Sequence, residues 1–542
     1  MRVVVENNKV LVWCRFEDKE MVKAIGNYKF IKARSAWSFP LKSLIKIVES
    51  LKIQHVSAEE KSHVERVYEK LKREQKELNQ RIDMADQIKK GQGDLSLVPN
   101  IKECFTHQKQ AIVIASMFSS YALFMETGTG KTLTAIKLIQ FRRVPAMVVA
   151  PLSILESVWM HEIKKWGQKI DKKSGLTAVN LWKHPKEINK KYDVYVINYE
   201  QFKKIKDLEK IVKFLIIDES AKMKNNKSRI TKAILDQKDK IPHKLILSGK
   251  PAPNDLLEYW AQMALINDEL LEDNYYKFRN KYFFSTGYGG YMYRPLPGAK
   301  ETIMKNIAKQ AYFIKKEDAI DLPERVFHVR SVEMEELQRI KYEELKRDNI
   351  MEFKSRTTLG SNELAKIMKL RQITSGFTIT TDGAIVDISK RKLQELLAVL
   401  DEIDESRQVI IWVHFHYEIT MIKEALKKEK PLTLYGEMKQ KEKEEAIDAF
   451  KAKKSRYIIA HPKSGGIGLN LQQCSYCIWY SISYSDEEFC QANDRIYRKG
   501  QKNTCTYVLL LAENSIDEVI YKALQSKERM SSACLAMLKG SK

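Results

Sequence analysis

The sequence predicts an α/β protein: two parallel-sheet lobes, a helical insertion between them, and a small α+β module in front. Three observations predict it. Short apolar runs alternate with amphipathic helical patterns from Ile101 to about Ile266, and again from about Gln408 onward. Such alternation builds a parallel sheet with helices on both faces. The stretch between these blocks is rich in charged helical patterns, and the first 56 residues carry strand and turn signals of their own. The expected units are a small module at 1–56, a charged helical linker at 57–100, the first lobe at 101–266, the insertion at 267–407, and the second lobe with C-terminal helices at 408–542.

In the first module, Val3–Val5 and Val10–Phe16 read as strands around the turn signal Asn7-Asn8. After Trp37-Ser-Phe-Pro40, the residues Leu44, Ile47, Val48 and Leu51 make a one-sided helical stripe. Ser57–Lys90 is highly charged, with a thinner stripe at Val64, Val67, Leu71, Leu78 and Ile82, and Gly91-Gln-Gly93 ends it. It reads as an exposed connecting helix. The strands of the first lobe are expected at Tyr121–Phe124, Ala146–Ala150, Val194–Ile197, Phe214–Ile217 and Leu245–Leu247, with a helix bearing Leu155, Val158, Trp159, Ile163 and Trp166. Those of the second are expected at Val409–Val413, Leu432–Leu434, Tyr457–Ala460, Ile478–Tyr480 and Tyr507–Leu511. The insertion holds the Tyr/Gly-rich loop Ser285–Pro297 and charged helices such as Glu333–Asp348.

Composition narrows the partners. Lys+Arg 94 against Asp+Glu 70 gives a formal charge of +24. An excess of that size points to a polyanion, although a lysine-rich solvated surface gives the same count. The opening residues Met1–Asn8 lack a signal-peptide core, and no apolar run is long enough to span a bilayer. A soluble, intracellular protein is expected, without a membrane partner. Seven scattered cysteines argue against a disulfide framework. Cys474 and Cys477 have zinc-ligand spacing, but Cys477 opens the apolar run Ile478-Trp-Tyr, which reads as a buried strand.

The chemistry concentrates in Met125-Glu-Thr-Gly-Thr-Gly-Lys-Thr132, which follows an apolar run and opens a helical pattern. Strand, glycine loop and helix form the context of a phosphate-binding loop. Thr127, Gly128, Thr129 and Gly130 would turn backbone N–H groups toward phosphates, Lys131 would reach the β- and γ-phosphates, and Thr132 would hold Mg²⁺. The full pattern has a glycine where Met125 stands. Phe214-Leu-Ile-Ile-Asp-Glu219 puts two carboxylates at the end of a buried strand. Asp218 suits the Mg²⁺ shell, and Glu219 suits orienting and deprotonating a water. In isolation the pair also fits an acidic helix cap. Gln108 could both donate to and accept from an adenine edge. Arg495 and Arg498, three apart, are expected on one helix face directed at the first lobe. Standing alone, that segment reads equally well as an exposed salt-bridged helix.

In combination these segments resemble the Swi/Snf family of ATP-dependent DNA translocases, within helicase superfamily two. The resemblance runs from Gln108 to the C-terminus, with its segments in the family's order: the loop Met125–Thr132, Val149–Ile154 with Trp159, Glu162 and Trp166, Asp218–Asn225, and Leu247-Ser-Gly-Lys-Pro251 with Asn254. Then come Phe313-Ile-Lys-Lys316 with Leu322-Pro-Glu324, Leu370–Phe377, Ser464–Asn470 and Asp494–Gln501. The resemblance implies two RecA-like lobes, ATP and Mg²⁺ bound between them, and Lys131, Asp218, Glu219, Arg495 and Arg498 as catalytic residues. It further implies DNA contacts at Pro151, Gly465, Gly466 and Asn470 that read the backbone and not the bases. Two departures stand out: Lys222 replaces a histidine, and Lys250 replaces the threonine of a motif thought to couple hydrolysis to motion. Asn27-Tyr28 with Trp37-Ser-Phe-Pro-Leu41 resembles the HARP module of annealing helicases, which rewind DNA and remodel stalled forks. As ordinary core aromatics of a strand, Trp37 and Phe39 would look the same.

The expected function is that of a monomeric DNA-dependent ATPase, tracking on double-stranded or forked DNA without regard to sequence, in the cytoplasm or nucleoid of a prokaryotic or viral system. A strand-separating DNA or RNA helicase and a remodeller that displaces proteins from DNA are the alternatives.

Overall fold

The computed structural model describes residues 1–526 other than 52, 54–56, 100, 168–174, 254, 287–291, 320, 354–360, 381–382, 466–470, 484 and 499. Those residues form two compact units, Met1–Leu95 and a unit beginning at Ser96.

In the first unit, strands β1 (Arg2–Glu6), β2 (Lys9–Trp13), β3 (Lys29–Ile31) and β4 (Ala36–Pro40) make an antiparallel sheet in the order β1-β2-β4-β3. The β1–β2 turn has Asn7 and Asn8 at φ 50° and 58°, the left-handed pair that a tight hairpin requires. β2 stops at Trp13, short of the strand expected through Phe16, because Phe16–Asp18 turns into the helix Lys19–Ala24. β3 and β4 are two strands beyond the two expected for this module. Trp37 and Phe39 lie on β4, 8% and 1% exposed, and pack with Val3, Val10, Leu44 and Ile47. They are core aromatics of this module.

The charged helix runs Ala58–Lys89, capped by Ser57, whose hydroxyl accepts from Glu60 N at 3.1 Å. It is not exposed throughout. Val64 is buried, and Val67 and Leu71 pack beside it on the core of the small sheet. The first part of the apolar stripe is thus explained by packing on that core, the middle turns keep the charged character of the sequence, and Ala85 and Ile88 are buried at the far end.

The second unit contains two parallel sheets. The first has seven strands: β5 (Ser120–Met125), β6 (Ala146–Ala150), β7 (Ala178–Asn180), β8 (Val194–Asn198), β9 (Phe214–Asp218), β10 (His243–Ser248) and, beyond the hairpin β11 (Phe283–Thr286) and β12 (Met292–Pro295), β13 (Ala311–Ile314). Their order is β13-β5-β10-β9-β6-β8-β7. The second sheet contains β14 (Arg325–Val332), and, after the hairpin β15 (Phe377–Ile379) and β16 (Ile385–Asp387), β17 (Val409–Trp412), β18 (Leu432–Leu434), β19 (Tyr457–Ala460), β20 (Tyr476–Trp479) and β21 (Cys505–Ala512). Its order is β14-β21-β20-β17-β19-β18. Central strands such as β5, β6, β9 and β17 are buried at every position, which is why they read as unbroken apolar runs.

The insertion read at 267–407 also supplies strands to both sheets: β13 at one edge of the first and β14 at one edge of the second. β14 (Arg-Val-Phe-His-Val-Arg-Ser-Val) mixes apolar and polar residues and is largely exposed because it is an edge strand, and so lacks the apolar run of a central one. Trp412 and Trp479, in register on β17 and β20, pack with ring centres 5.9 Å apart and planes tilted by 33°, and anchor one face of the second sheet. Cys474 and Cys477 are buried in that same core, where the Cys474 thiol donates to Gln408 O at 3.0 Å. Among the described residues no helix is long and apolar enough to cross a membrane.

Candidate active site between the two sheets

The loop after β5 has Gly128 and Gly130 at φ 90° and 91°, left-handed values that cost a glycine nothing. A Cβ on Gly130 would lie 2.1 Å from Gln108 Nε2, so the loop also needs the missing side chain. Gln108 is buried, and both ends of its amide have partners: Nε2 donates to Thr129 O at 3.0 Å, and Oε1 accepts from Phe105 N at 3.0 Å. Thr129 closes the turn by donating from Oγ1 to Glu126 O at 2.7 Å. The helix Lys131–Arg142 follows, with Thr132 in its first turn. Lys131 Nζ donates to Met125 O at 2.7 Å and to Glu126 O at 3.3 Å, so its ammonium sits over the end of β5.

Asp218 ends β9, and Glu219 adopts φ 55°, ψ 54°, a left-handed conformation that is strained for a side-chain-bearing residue. Three contacts hold it there. Trp159 Nε1 donates to Asp218 Oδ2 at 2.8 Å, Glu219 N donates to Asp218 Oδ1 at 3.0 Å, and the buried Tyr199 hydroxyl donates to Asp218 O at 2.5 Å. Trp159 lies on a π-helical turn, Leu155–Met160, that interrupts the helix continuing as His161–Trp166. Such bulges re-aim side chains, and here the effect is to bring an indole N–H to a buried carboxylate. In the sequence Trp159 stood out as part of an apolar stripe and of a family-like segment, with no contact to Asp218 implied.

Burial pushes both carboxyls up from their ordinary range, and Lys131 opposes the shift at each. For Glu219, Arg495 and Lys222 oppose it as well, while Asp218 adds to it. Asp218 retains lone pairs beyond its two hydrogen bonds. The Asp218 carboxylate and the Thr132 hydroxyl are oxygen donors of the kind Mg²⁺ takes, so the residue types present fit that ion.

Two further residues frame the site. Gly249 sits where a Cβ would lie 2.9 Å from Thr127 Oγ1 and 3.4 Å from Lys131 Nζ, so the segment after β10 packs directly on the phosphate loop. Gln262, fully buried, accepts from Ser220 Oγ at 2.7 Å and donates to Pro251 O at 2.6 Å. It links the turn after the carboxylates to the segment Ser248–Pro251. No motif marks it, because its role depends on three chain segments meeting.

From the second sheet, Arg495 is buried and its guanidinium lies near Glu219, Asp494 and Arg498; burial, then Arg498, lowers its pKa to about 10. Arg498 approaches the loop itself, its Cβ 3.7 Å from where a Cβ on Gly128 would stand. The expectation of one helix face is corrected here: the helix Asp486–Asn493 ends before both arginines, which occupy the turns that follow. Tertiary hydrogen bonds end it. Trp479 Nε1 donates to Asn493 Oδ1 at 3.0 Å, the Tyr507 hydroxyl donates to Asn493 O at 2.9 Å, and Gln501 Nε2 donates to Cys474 O at 2.8 Å.

Pro151 directly follows β6 and is half-buried, and Gly465 ends the short helix Pro462–Gly465. Gly466 and Asn470, the other two expected DNA contacts, lie outside the described residues, as does Asn254. Lys222 Nζ sits 5.7 Å from the centre of the Tyr199 ring, and Lys250 reaches Asp486 in the second sheet's domain.

The SNF2-related domain model matches residues 46–376, and the helicase conserved C-terminal domain model matches 390–500. Among curated proteins, the chain is 26% identical to nuclear protein STH1/NPS1 of Saccharomyces cerevisiae over 447 residues, 74% of this chain and 32% of that protein. It is 27% identical over 448 residues to the human SWI/SNF-related matrix-associated actin-dependent regulator of chromatin subfamily A member 1, 75% of this chain and 41% of that protein. The chain thus spans a third to two fifths of the length of these relatives. Among solved structures, the Sulfolobus solfataricus SWI2/SNF2 ATPase core in complex with dsDNA aligns with a TM-score of 0.37 at 22% identity, over 82% of this chain and 94% of that one. With a family model matched over 46–376, more than half of its 542 residues, the chain belongs to the SNF2-related family of helicase-like ATPases.

Proposed function

We propose that this chain hydrolyses ATP between its two sheets, that DNA stimulates the reaction, and that the work is movement along double-stranded DNA. The observation that carries the reading is the meeting of Arg495 and Arg498 with Glu219 and the Gly128 loop, since neither sheet alone holds a complete site. In this reading the loop N–H groups and Lys131 hold the β- and γ-phosphates. Glu219, set beside Lys131 and Arg495, orients a water and takes its proton. Arg495 and Arg498 face the charge that develops on the transferring phosphoryl group, where such groups contribute about 10³–10⁵ in rate. Thr132 and Asp218 would hold Mg²⁺, which when bound neutralises phosphate charge. Gln108 would leave Thr129 O to read an adenine edge.

Opening and closing of the two lobes would advance Pro151, Gly465, Gly466 and Asn470 along a phosphate backbone. The charge of +24 supports a polyanionic track. The first module would direct the motor to forked or branched DNA and favour rewinding. Because Trp37 and Phe39 are buried, its contacts would come from the exposed Tyr28 and Phe30 with Lys29 and Lys32 between and beside them.

ATP turnover measured on duplex, single-stranded and forked DNA and on RNA tests the proposal. Duplex and forked DNA should stimulate most, and affinity should fall by about 0.9 log units per log unit of salt for each phosphate neutralised. Greater stimulation by RNA, or a flat salt response, would replace it with an RNA helicase or a sequence-specific binder. Deleting residues 1–95 should leave duplex-stimulated turnover intact while fork rewinding falls; unchanged rewinding would remove the module from the mechanism.

A further inference from the structure

Two lysines on the first sheet's side of the cleft hold opposite ends of one helix in the second lobe. Lys250 Nζ forms an ion pair with Asp486, the first residue of the helix Asp486–Asn493, and lies 3.8 Å from Cys490 Sγ one turn on. Lys316 Nζ forms an ion pair with Asp494, the residue that follows the helix, and donates to Tyr497 O at 3.1 Å. Each lysine is rooted where the ATP loop can sense it. Lys250 follows Gly249, which packs on Thr127 and Lys131, and precedes Pro251, which Gln262 joins to Ser220 beside the carboxylates. Lys316 N donates to Glu126 Oε2 at 2.9 Å, inside the phosphate loop, and its side chain is only 3% exposed.

We infer that Lys250 and Lys316 are positioning residues: a two-point clamp that sets Arg495 and Arg498 in register with the phosphate loop, so that closure of the lobes and completion of the site are one event. The inference rests on the ATP-hydrolysis reading above. It also accounts for the most visible departure of this chain. A threonine at position 250 has neither the charge nor the length to pair with Asp486, so here the coupling segment acts through an ion pair across the cleft. Glu487, next along, lies close to Glu219 and is offset by Lys222, Lys224 and Lys250, which places the second departure, Lys222, in the same electrostatic cluster.

An isolated surface ion pair of this exposure is worth little, at most about a fivefold effect. The clamp differs because the Lys316 ammonium is buried at its pair with Asp494, and both ends must hold for the arginine segment beyond them to keep its place. Lys316→Ala leaves Asp494, 18% exposed, without its ion pair and risks misfolding, so the decisive variants are at the more exposed end, where the Lys250 and Asp486 side chains are 38% and 33% exposed. Lys250→Asp sets two acids face to face and should lower kcat about tenfold or more, with KM for ATP within about twofold. Asp486→Lys should do the same, and the exchange Lys250→Asp with Asp486→Lys should restore kcat to within about threefold of wild type.

A second readout does not depend on turnover: energy transfer between fluorophores placed by bio-orthogonal chemistry at the exposed positions Lys186 and Lys428. The distance between lobes should widen in each single variant and return in the exchange. Additive losses in the double variant, or single variants that hydrolyse and close like wild type, overturn the clamp. A wild type that closes, and loses closure in the single variants, but never hydrolyses ATP would instead overturn the proposed activity and leave the clamp standing.

Discussion

The two lobes share an all-parallel sheet, yet they build their halves of the cleft by opposite means. The first lobe uses regular backbone: β5, a glycine loop and the helix Lys131–Arg142 on one side, and the end of β9 on the other. The second lobe uses irregular chain, the turns after Asn493, pinned by Trp479, Tyr507, Gln501 and Lys316. A site half supported by periodic hydrogen bonds is more robust to side-chain loss, except at the turn after β9, where the Trp159 and Tyr199 side chains hold Asp218. A half supported by side chains is sensitive to it, and is also the half that can be repositioned.

The arginines give the sharpest way to break this comparison. Arg498→Ala should lower kcat by about 10³ or more while ATP affinity stays within a few-fold, because its contact develops in the transition state. A kcat within tenfold of wild type would make the second lobe a scaffold and leave the first to act alone. Glu219→Gln should lower turnover by about 10²–10⁴ and still bind ATP, since an amide cannot accept the water's proton; measurable binding by fluorescent nucleotide with wild-type turnover would contradict the assignment.

Trp159→Phe sharpens the contrast within the first lobe. It keeps the apolar body of the side chain and removes one hydrogen bond to a buried carboxylate, worth about 1.5–3 kcal/mol. A fall in kcat of about tenfold is expected, with the far-ultraviolet circular dichroism spectrum unchanged. Loss of fold instead would mean that the indole serves packing alone.

The smallest effect is on stability. Burial raises the Glu219 carboxyl above its unfolded value, so the folded state favours the protonated acid. For such a group stability is present at low pH and declines as pH rises from the unfolded pKa through the folded one. Glu219→Gln removes that titration. Its melting temperature should therefore match wild type below the ordinary glutamate range and exceed it modestly at neutral pH. The reverse trend in calorimetry would show that Lys131 and Arg495 overcome desolvation.

The legibility of the site followed the same division. Lys131, Thr132, Asp218 and Glu219 could be read because a strand–loop–helix and a strand end are local structures, and residue type and spacing determine them. The contacts of Trp159, Gln262 and Gly249 could not, although Trp159 and Gly249 lay in segments already singled out, since each acts on another chain segment: Trp159 on Asp218, Gln262 on Ser220 and Pro251, Gly249 on Thr127. The arginines fell between. Their residue type pointed to charge stabilisation, but the spacing of three suggested a helix that tertiary hydrogen bonds had already ended at Asn493. Of the four edge strands of the two parallel sheets, the apolar β18 was read while β13, β14 and β7 were not; β14 mixes polar and apolar residues and β7 (Ala-Val-Asn) has only two apolar ones, so neither presents a longer apolar run.

The sequence by itself determined the alternation of apolar runs with amphipathic helices, the glycines at 128 and 130, the paired carboxylates at 218 and 219 and the excess of basic charge. These are short-range properties, imposed by backbone sterics and by the period of burial. Only the tertiary structure decided that Lys250 would meet Asp486, that Lys316 would meet both Glu126 and Asp494, and that Arg498 would come to rest beside Gly128. Those pairings span up to hundreds of residues, and no local preference specifies them. They arise because two sheets must each bury their own faces, and the charges left at the facing edges then find one another across the cleft.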